Sequence, residues 1–489
     1  MDIVMSKDVG WKLNNSYLDL PKSMFSRANP AIAKSPKLKI FNYSLAKEID
    51  LNFSNTNEKE LALIFSGNKL PINTETIAQA YAGHQFGHFT ILGDGRALTF
   101  GEHITKNKRR FDIQFKGSGK TPYSRGADGK AALGPMLREY IISEGMHFMR
   151  IPTTRSLAVV ETGEDVIREK VLKGAILTRI ASSHIRVGTF QFALINEDKK
   201  VLKSLFKYTV ERHYPHINNC KSPALELLKI VSDKQIKLIC EWMRVGFIHG
   251  VMNTDNMTIS GETIDYGPCG FMDVYDPATV FSSIDKFGRY AYFNQPRIAK
   301  WNLERFAETL LPLINDDSEI AIKLATEVLK EFPKNYKKNW MSMMKKKLGF
   351  FSENSEDEAL ILELLSWMHN NKADYTNTFC YLMNELQVKD DIYDQKSFIA
   401  WKKKWQTRIK LKNNSIENSY KIMKEVNPLI IPRNQIVESA LKDASDKNDL
   451  SSVFKLLEVL ENPRKYLNEF KQFQKPSKKN EKYVTYCGT

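Results

Sequence analysis

Two textures divide this chain, and the boundary between them limits the folds open to it. From about residue 80 to 200, short apolar runs alternate with glycine-rich turns, the pattern of strands joined by tight connections. From about residue 200 the helical period takes over and runs almost to the C-terminus. The order strand, glycine turn, strand, strand, helix, strand, strand, then helices, places the chain in the α/β (α+β) class. Strands are predicted at 89–92 and 97–100, flanking Gly93-Asp94-Gly95-Arg96 as a hairpin, and at 111–116, 156–160 and 173–179. Helices are predicted at 133–146, 201–212, 224–229, 234–245, 303–313, 320–331, 356–368 and 451–460. Before residue 75, Pro21, Pro30, Pro36 and Pro71 punctuate an irregular stretch with one short helix at 57–65. It reads as an extended arm wrapped on a core.

The 489 residues amount to roughly three domains' worth of chain. With 42% hydrophobic and 26% charged residues, a packed core is expected rather than disorder. No apolar run nears the roughly 18 residues of a membrane span, so an integral membrane protein is excluded. Met1-Asp2-Ile3-Val4-Met5-Ser6-Lys7 has neither signal-peptide nor transit-peptide character. Five cysteines are few and odd in number, which argues against a secreted disulfide scaffold. The expected compartment is cytoplasmic. Lys and Arg exceed Asp and Glu by 72 to 57, which suits a basic surface, an acidic partner or a polyphosphate ligand alike. No zinc finger, RRM or basic heptad region favours nucleic acid, and neither nucleic acid nor membrane is expected as a partner.

Gly93 and Gly95 would let main-chain N–H groups approach a phosphate, with Arg96 adding charge. An ordinary hairpin turn is the competing reading. Lys116 ends the 111–116 strand, a kinase-like position for a lysine that holds phosphate oxygens. Such a lysine needs a carboxylate, and the following helix offers Glu139 and Glu144. Further on, His249-Gly250-Val251-Met252-Asn253-Thr254-Asp255-Asn256 keeps the His-to-Asn offset of H-R-D-x-x-x-x-N, and Asp265-Tyr266-Gly267 stands where D-F-G would be. Asn256 and Asp265 supply the hard oxygens that Mg²⁺ requires. Val251 occupies the catalytic-aspartate position. Asp255 is the substitute proton acceptor, unless the chain is a degenerate kinase that binds nucleotide without catalysis. Arg179 and Arg186 could fork onto a polyphosphate, and Asp128-Gly129 could close over the same ligand; surface charge is the alternative. Gly117-Ser118-Gly119-Lys120-Thr121 fails as a P-loop, because Gln114 sits where the first glycine belongs. His84 and His88 lack the adjacent Glu of a zinc helix. Cys269 follows the Asp265-Tyr266-Gly267-Pro268 turn, and Cys487 lies on the basic tail, where a thiol can exchange readily; two unrelated free thiols are the alternative.

Taken together, the blocks Tyr81-Ala82-Gly83-His84-Gln85-Phe86-Gly87, Leu92-Gly93-Asp94-Gly95-Arg96-Ala97, 114–125 and 249–257 resemble the selenoprotein O family, adenylyltransferases of pseudokinase fold. The resemblance implies a kinase-like bilobal fold: a wrapping segment over 1–75, an N-lobe over 76–200, a C-lobe over 201–330, and a helical extension with a basic redox tail over 331–489. It also implies Mg²⁺ (or Mn²⁺) and ATP, the ATP bound inverted relative to kinases, with AMP passing to Ser, Thr or Tyr hydroxyls of protein substrates and pyrophosphate leaving. By the same similarity Asp255 accepts the proton, Lys116 pairs with Glu139, and Asn256 and Asp265 hold the metal. Gly93, Gly95, Arg96, Lys116, Asp128, Gly129, Arg179, Arg186 and Asp265 contact the nucleotide. Cys487 corresponds to the family's C-terminal redox residue, and a reversible Cys269–Cys487 disulfide and a monomer are expected. The rival readings are a γ-phosphoryl-transferring kinase and an inert nucleotide-binding scaffold.

Overall fold

The computed structural model describes residues 9–72, 74–196, 198–411, 415–465, 468–477 and 483–485. Its N-terminal stretch supplies β1 (Leu13–Asn14), β2 (Phe25–Arg27), β3 (Lys37–Phe41), α1 (Tyr43–Glu48) and α2 (Glu58–Phe65). Then come β4 (Ile77–Gln79), β5 (Ala82–Gln85), β6 (His88–Ile91), β7 (Ala97–Ile104), β8 (Arg110–Lys116), β9 (Ala131–Ala132) and α3 (Leu133–Phe148). The long strands β10 (Arg155–Ile167) and β11 (Val171–Ala181) complete a nine-stranded antiparallel sheet in the order β2-β4-β7-β8-β11-β10-β3, with β1 on β7 and β9 on β11.

Alternation along β8 decides which face does what. Ile113 and Phe115 are fully buried among Phe53, Leu61, Phe65 and Phe100, a core that α1 and α2 close from outside. Asp112, Gln114 and Lys116 therefore emerge on the opposite face, as period-2 geometry requires. On that face α3 packs against β10 and β11. Met136, Tyr140 and Ser143 lie at helical spacing and bring Glu139 over the sheet.

One expectation is extended here and one is corrected. The arm is no mere covering: it contributes three strands and the helical cap on one face of the sheet, its strands being too short and proline-punctuated to announce themselves. The 89–92 and 97–100 hairpin does not form. β6 pairs with β5, and β7 with β8. The intervening loop is pinned elsewhere: Asp94 N–H donates to Gln79 O at 2.9 Å, and the Asp94 carboxylate accepts from Gln79 N–H at 3.1 Å.

The helical part follows as α4 (Val187–Leu194), α5 (Lys199–His213) and α6 (Pro223–Val245), the last fusing the two predicted helices at 224–229 and 234–245. A small ribbon, β12 (Phe247–Ile248) with β13 (Gly270–Phe271), brackets the 249–267 loops. Beyond lie α7 (Gln295–Ile314), α8 (Ser318–Lys330), α9 (Phe332–Lys347), α10 (Asp357–Asn370), α11 (Tyr375–Leu382), α12 (Lys396–Ile409), α13 (Ile416–Val426), α14 (Asn434–Asp446) and α15 (Ser451–Glu461). Helices α14 and α15 return to pack on α3, the helix that carries Glu139. Among the described residues no helix is long and apolar enough to cross a membrane.

Candidate active site

Antiparallel register assembles the site. Lys116 lies opposite Ala97 on β7 and Leu177 on β11, and Gln114 opposite Arg179. Lys116 Nζ is 2.7 Å from Glu139 Oε2 and 2.6 Å from Asp265 Oδ1. Arg179 closes the ring, 2.6 Å from both Glu139 Oε1 and Asp265 Oδ1. Two cations and two carboxylates thus neutralise each other where isolated charges would be costly. Burial alone would raise the Glu139 and Asp265 carboxyls; Arg179 and Lys116 outweigh it and hold both below the usual carboxylate range, Asp265 well below. The other candidate carboxylate, Glu144, belongs to a separate structural pair with Arg155 at 2.7 Å.

Beside this ring opens a cavity of about 250 Å³. All nine residues expected to contact nucleotide line it: Gly93, Gly95, Arg96, Lys116, Asp128, Gly129, Arg179, Arg186 and Asp265. The Gly93–Arg96 loop runs so close to Tyr123 that a Cβ at Gly93 would overlap its ring, and one at Gly95 would come within 2.8 Å of Tyr123 O. Arg186, the N-terminal residue capping α4, stacks 4.3 Å above the Tyr81 ring and lies 3.5 Å from Asp94. Asp128 is held at the rim by two hydrogen bonds from Arg168, at 2.9 and 3.0 Å.

Asp255 and Asn256 are not part of that lining; they occupy the adjoining turn, residues 254–256. Asp255 is buried, and its Oδ1 has no hydrogen-bond partner. Gly83 makes room for it, since a Cβ there would stand 2.5 Å from Oδ1. Burial pushes the Asp255 carboxyl up to about 6, with Arg186 opposing and Asp265 reinforcing the rise. Asn256 Nδ2 donates to Val251 O at 3.0 Å, which turns Oδ1 the other way. His249 has a positioning part: its Nε2 meets Ile264 O at 2.9 Å, tying this loop to the residue before Asp265. Among the described residues no cluster of three or more His, Cys, Asp or Glu side chains could hold a metal. The oxygens of Asn256 and Asp265 are nonetheless the hard donors that a phosphate-bound divalent ion takes from protein.

Cys269 is 1% exposed, and burial raises its thiol pKa to about 12, so it is not a reactive thiolate in this arrangement. Cys487 lies outside the described residues. Sequence reasoning missed Tyr81, Asp94, Gln114, Tyr123, Lys130 and Arg168, which also line the cavity. Tyr81, Asp94, Gln114 and Tyr123 sit inside the motif blocks and needed only a reading of every position. Lys130 and Arg168, the latter in the β10–β11 turn, fall outside them and carry no motif.

A family model described as protein adenylyltransferase SelO matches residues 10–461. The protein nucleotidyltransferase YdiU of Pelagibacter ubique (strain HTCC1062) is 56% identical over 482 residues, covering 98% of this chain and 100% of its own. The protein of the same name from Nitrosococcus oceani is 54% identical over 484 residues, 99% of this chain and 98% of its own. That of Clostridium beijerinckii is 53% identical over the full length of both.

Proposed function

Because this chain belongs to the SelO family of protein adenylyltransferases, we propose that its cavity takes ATP with the polyphosphate at the buried, cationic end. The chain is itself a protein adenylyltransferase; the proposal concerns how the transfer is built. The observation that carries it is the burial of Arg179 and Arg186, each 2% exposed. With Lys116 they gather three cationic side chains at one end, charge-balanced by Glu139, Asp265 and Asp94; a triphosphate's far end would compete for them, which leaves the α-phosphorus toward the opening.

In this reading Glu139 positions Lys116, and the Gly93–Arg96 loop with Asp128-Gly129 encloses the nucleotide. The acceptor is a Ser, Thr or Tyr hydroxyl of a substrate protein. Its proton passes to the unpartnered Oδ1 of Asp255 while its oxygen bonds to the α-phosphorus. The bond from the α-phosphorus to the bridging oxygen breaks, and Arg179 and Arg186 take up the charge that develops on pyrophosphate. Asn256 and the Asp265 oxygen turned from Lys116 would hold Mg²⁺ or Mn²⁺, which when bound neutralises phosphate charge. We read the two halves around the cavity as kinase-like lobes, 76–200 and 201–330, wrapped by 1–75 and extended by 331–489. A cytosolic monomer acting on proteins, not on nucleic acid or membranes, completes the reading.

Incubation with ATP labelled at either the α- or the γ-phosphate tests it. Label from the α-position alone should appear on protein, with a gain of about 329 Da per site. A gain of about 80 Da would mean phosphorylation, and no gain a nucleotide-binding scaffold.

The tail carries a second part of the proposal. Thr485 N–H donates to Phe281 O at 2.8 Å, and the Phe281 ring lies against Gly270, the neighbour of Cys269. Cys487 follows Thr485 by two residues, and we propose that it forms a reversible disulfide with Cys269 only when the Cys269 pocket opens. Dithiothreitol should raise the activity of oxidised protein several-fold, and Cys487→Ser should abolish that response; equal sensitivity in the variant would sink the idea.

A further inference from the structure

The β5–β6 ribbon supports a surface that the transfer chemistry does not use. His84 N–H donates to Thr254 Oγ1 at 2.7 Å and Phe86 N–H to Asn253 Oδ1 at 3.0 Å. One edge of β5 is therefore fastened to the loop that carries Asp255. The register pairs His84 with Phe89 and Ala82 with Ile91. Because His84 turns its N–H away from β6, these are the pairs whose main-chain groups point outward on both strands. Phe89 and Ile91 thus present their N–H and C=O groups along the far edge of β6, where no described strand pairs. Their side chains share one face and are 44% and 59% exposed.

An open strand edge bearing two exposed apolar side chains is something folds normally blunt or cover. Charge at its end says what kind of segment fits. The Arg289 guanidinium lies 3.8 Å from the Cβ position of Gly87 at the hairpin turn and over the Trp301 ring. A carboxylate arriving at the turn would meet that guanidinium.

We propose that the outer edge of β6 docks an extended segment of the protein being modified. The segment adds as a third strand, sets apolar side chains two residues apart over Phe89 and Ile91, and brings a carboxylate to Arg289. This inference rests on the adenylyltransferase reading. The two hydrogen bonds from β5 to Asn253 and Thr254 make it consequential, since an acceptor held on β6 is held in fixed relation to Asp255.

The probe is a fluorescently labelled, capped peptide, Glu-Ile-Thr-Ile-Thr-Glu, whose fluorescence polarisation is followed on the full chain without ATP. Wild type should bind it. The double variant Phe89→Lys/Ile91→Lys should bind about tenfold more weakly, as should a peptide N-methylated at alternate amides, since each removes what strand addition needs. Arg289→Glu should weaken the acidic peptide and favour one with Lys at both ends. ATP affinity and melting temperature should not change in the double variant. Failure of wild type to bind, or equal binding by the N-methylated peptide or by the double variant, overturns the proposal. So does a wild-type dimer that the lysines dissociate, which would make this edge a contact between copies. Polarisation needs no catalysis, so loss of α-label transfer to casein with peptide binding intact would count against the adenylyltransferase mechanism alone.

Discussion

Asp265→Asn should lower kcat for AMP transfer by about three orders of magnitude, roughly 4 kcal/mol of barrier. One carboxylate oxygen holds both Lys116 and Arg179 at 2.6 Å; the other is the proposed metal ligand. The amide keeps the shape but loses the charge, so the cations draw on Glu139 alone and the metal loses its anionic protein donor. The effect should fall on kcat more than on the KM for ATP, because Arg96, Arg179 and Arg186 still face the cavity. Stability carries an independent signature. Despite burial, Lys116, Arg179 and Arg186 hold the Asp265 carboxyl well below the usual range. Its stabilising contribution is therefore present above the unfolded-state pKa of about 4 and is lost as pH falls through the folded value. Thermal melts of the ligand-free variant should then show a lower melting temperature near neutrality and a flatter acid limb than wild type. A variant that melts lower yet transfers AMP at the wild-type rate would reduce Asp265 to a structural counter-ion.

How much of this could be read from the chain depends on whether the information is local. The alternation of 111–116 told which face Lys116 takes, and β8 obeys it because Ile113 and Phe115 fill the core on the other side. Glu139 could be chosen with Glu144 as its rival, yet only the fold separates them: Arg155, across the turn after α3, claims Glu144. The Gly93–Arg96 turn lines the cavity, but it is not the hairpin its sequence suggests. Its sequence favours a hairpin, but the buried Asp94 bonds back to Gln79 and Arg186, and those long-range partners outweigh local turn preference. The N-terminal strands were invisible because two or three residues cannot display a period. They exist only as additions to an edge made by others. Arg168 shows the same limit at the site, since it reaches Asp128 from a turn 40 residues away.

Asp255→Asn should lower transfer by about 10²- to 10⁴-fold, the usual worth of a positioned general base, and should also make the ligand-free protein more stable. Burial raises the carboxyl from 3.8 to about 6 against the pull of Arg186. A group whose folded pKa lies above its unfolded value binds protons more tightly in the native state, so stability falls as pH rises from about 4 through 6. Above that window the ionised carboxylate costs about 3 kcal/mol of folding free energy, which the neutral amide would not incur. Metal-free denaturant titrations at pH 5 and pH 7.5 should therefore show the variant gaining on wild type as pH rises. A divalent ion at Asn256 would draw the carboxyl below its ligand-free value, placing the acid limb of the wild-type kcat profile at or below pH 6. Within that limb the rate should fall about tenfold per pH unit, and the residual activity of the variant should be flat. A merely structural Asp255 predicts the reverse: a less stable variant with an unchanged pH profile. The Oδ1 beside Gly83, which no protein donor satisfies, favours the first outcome, because purely structural buried carboxylates are normally satisfied within the protein.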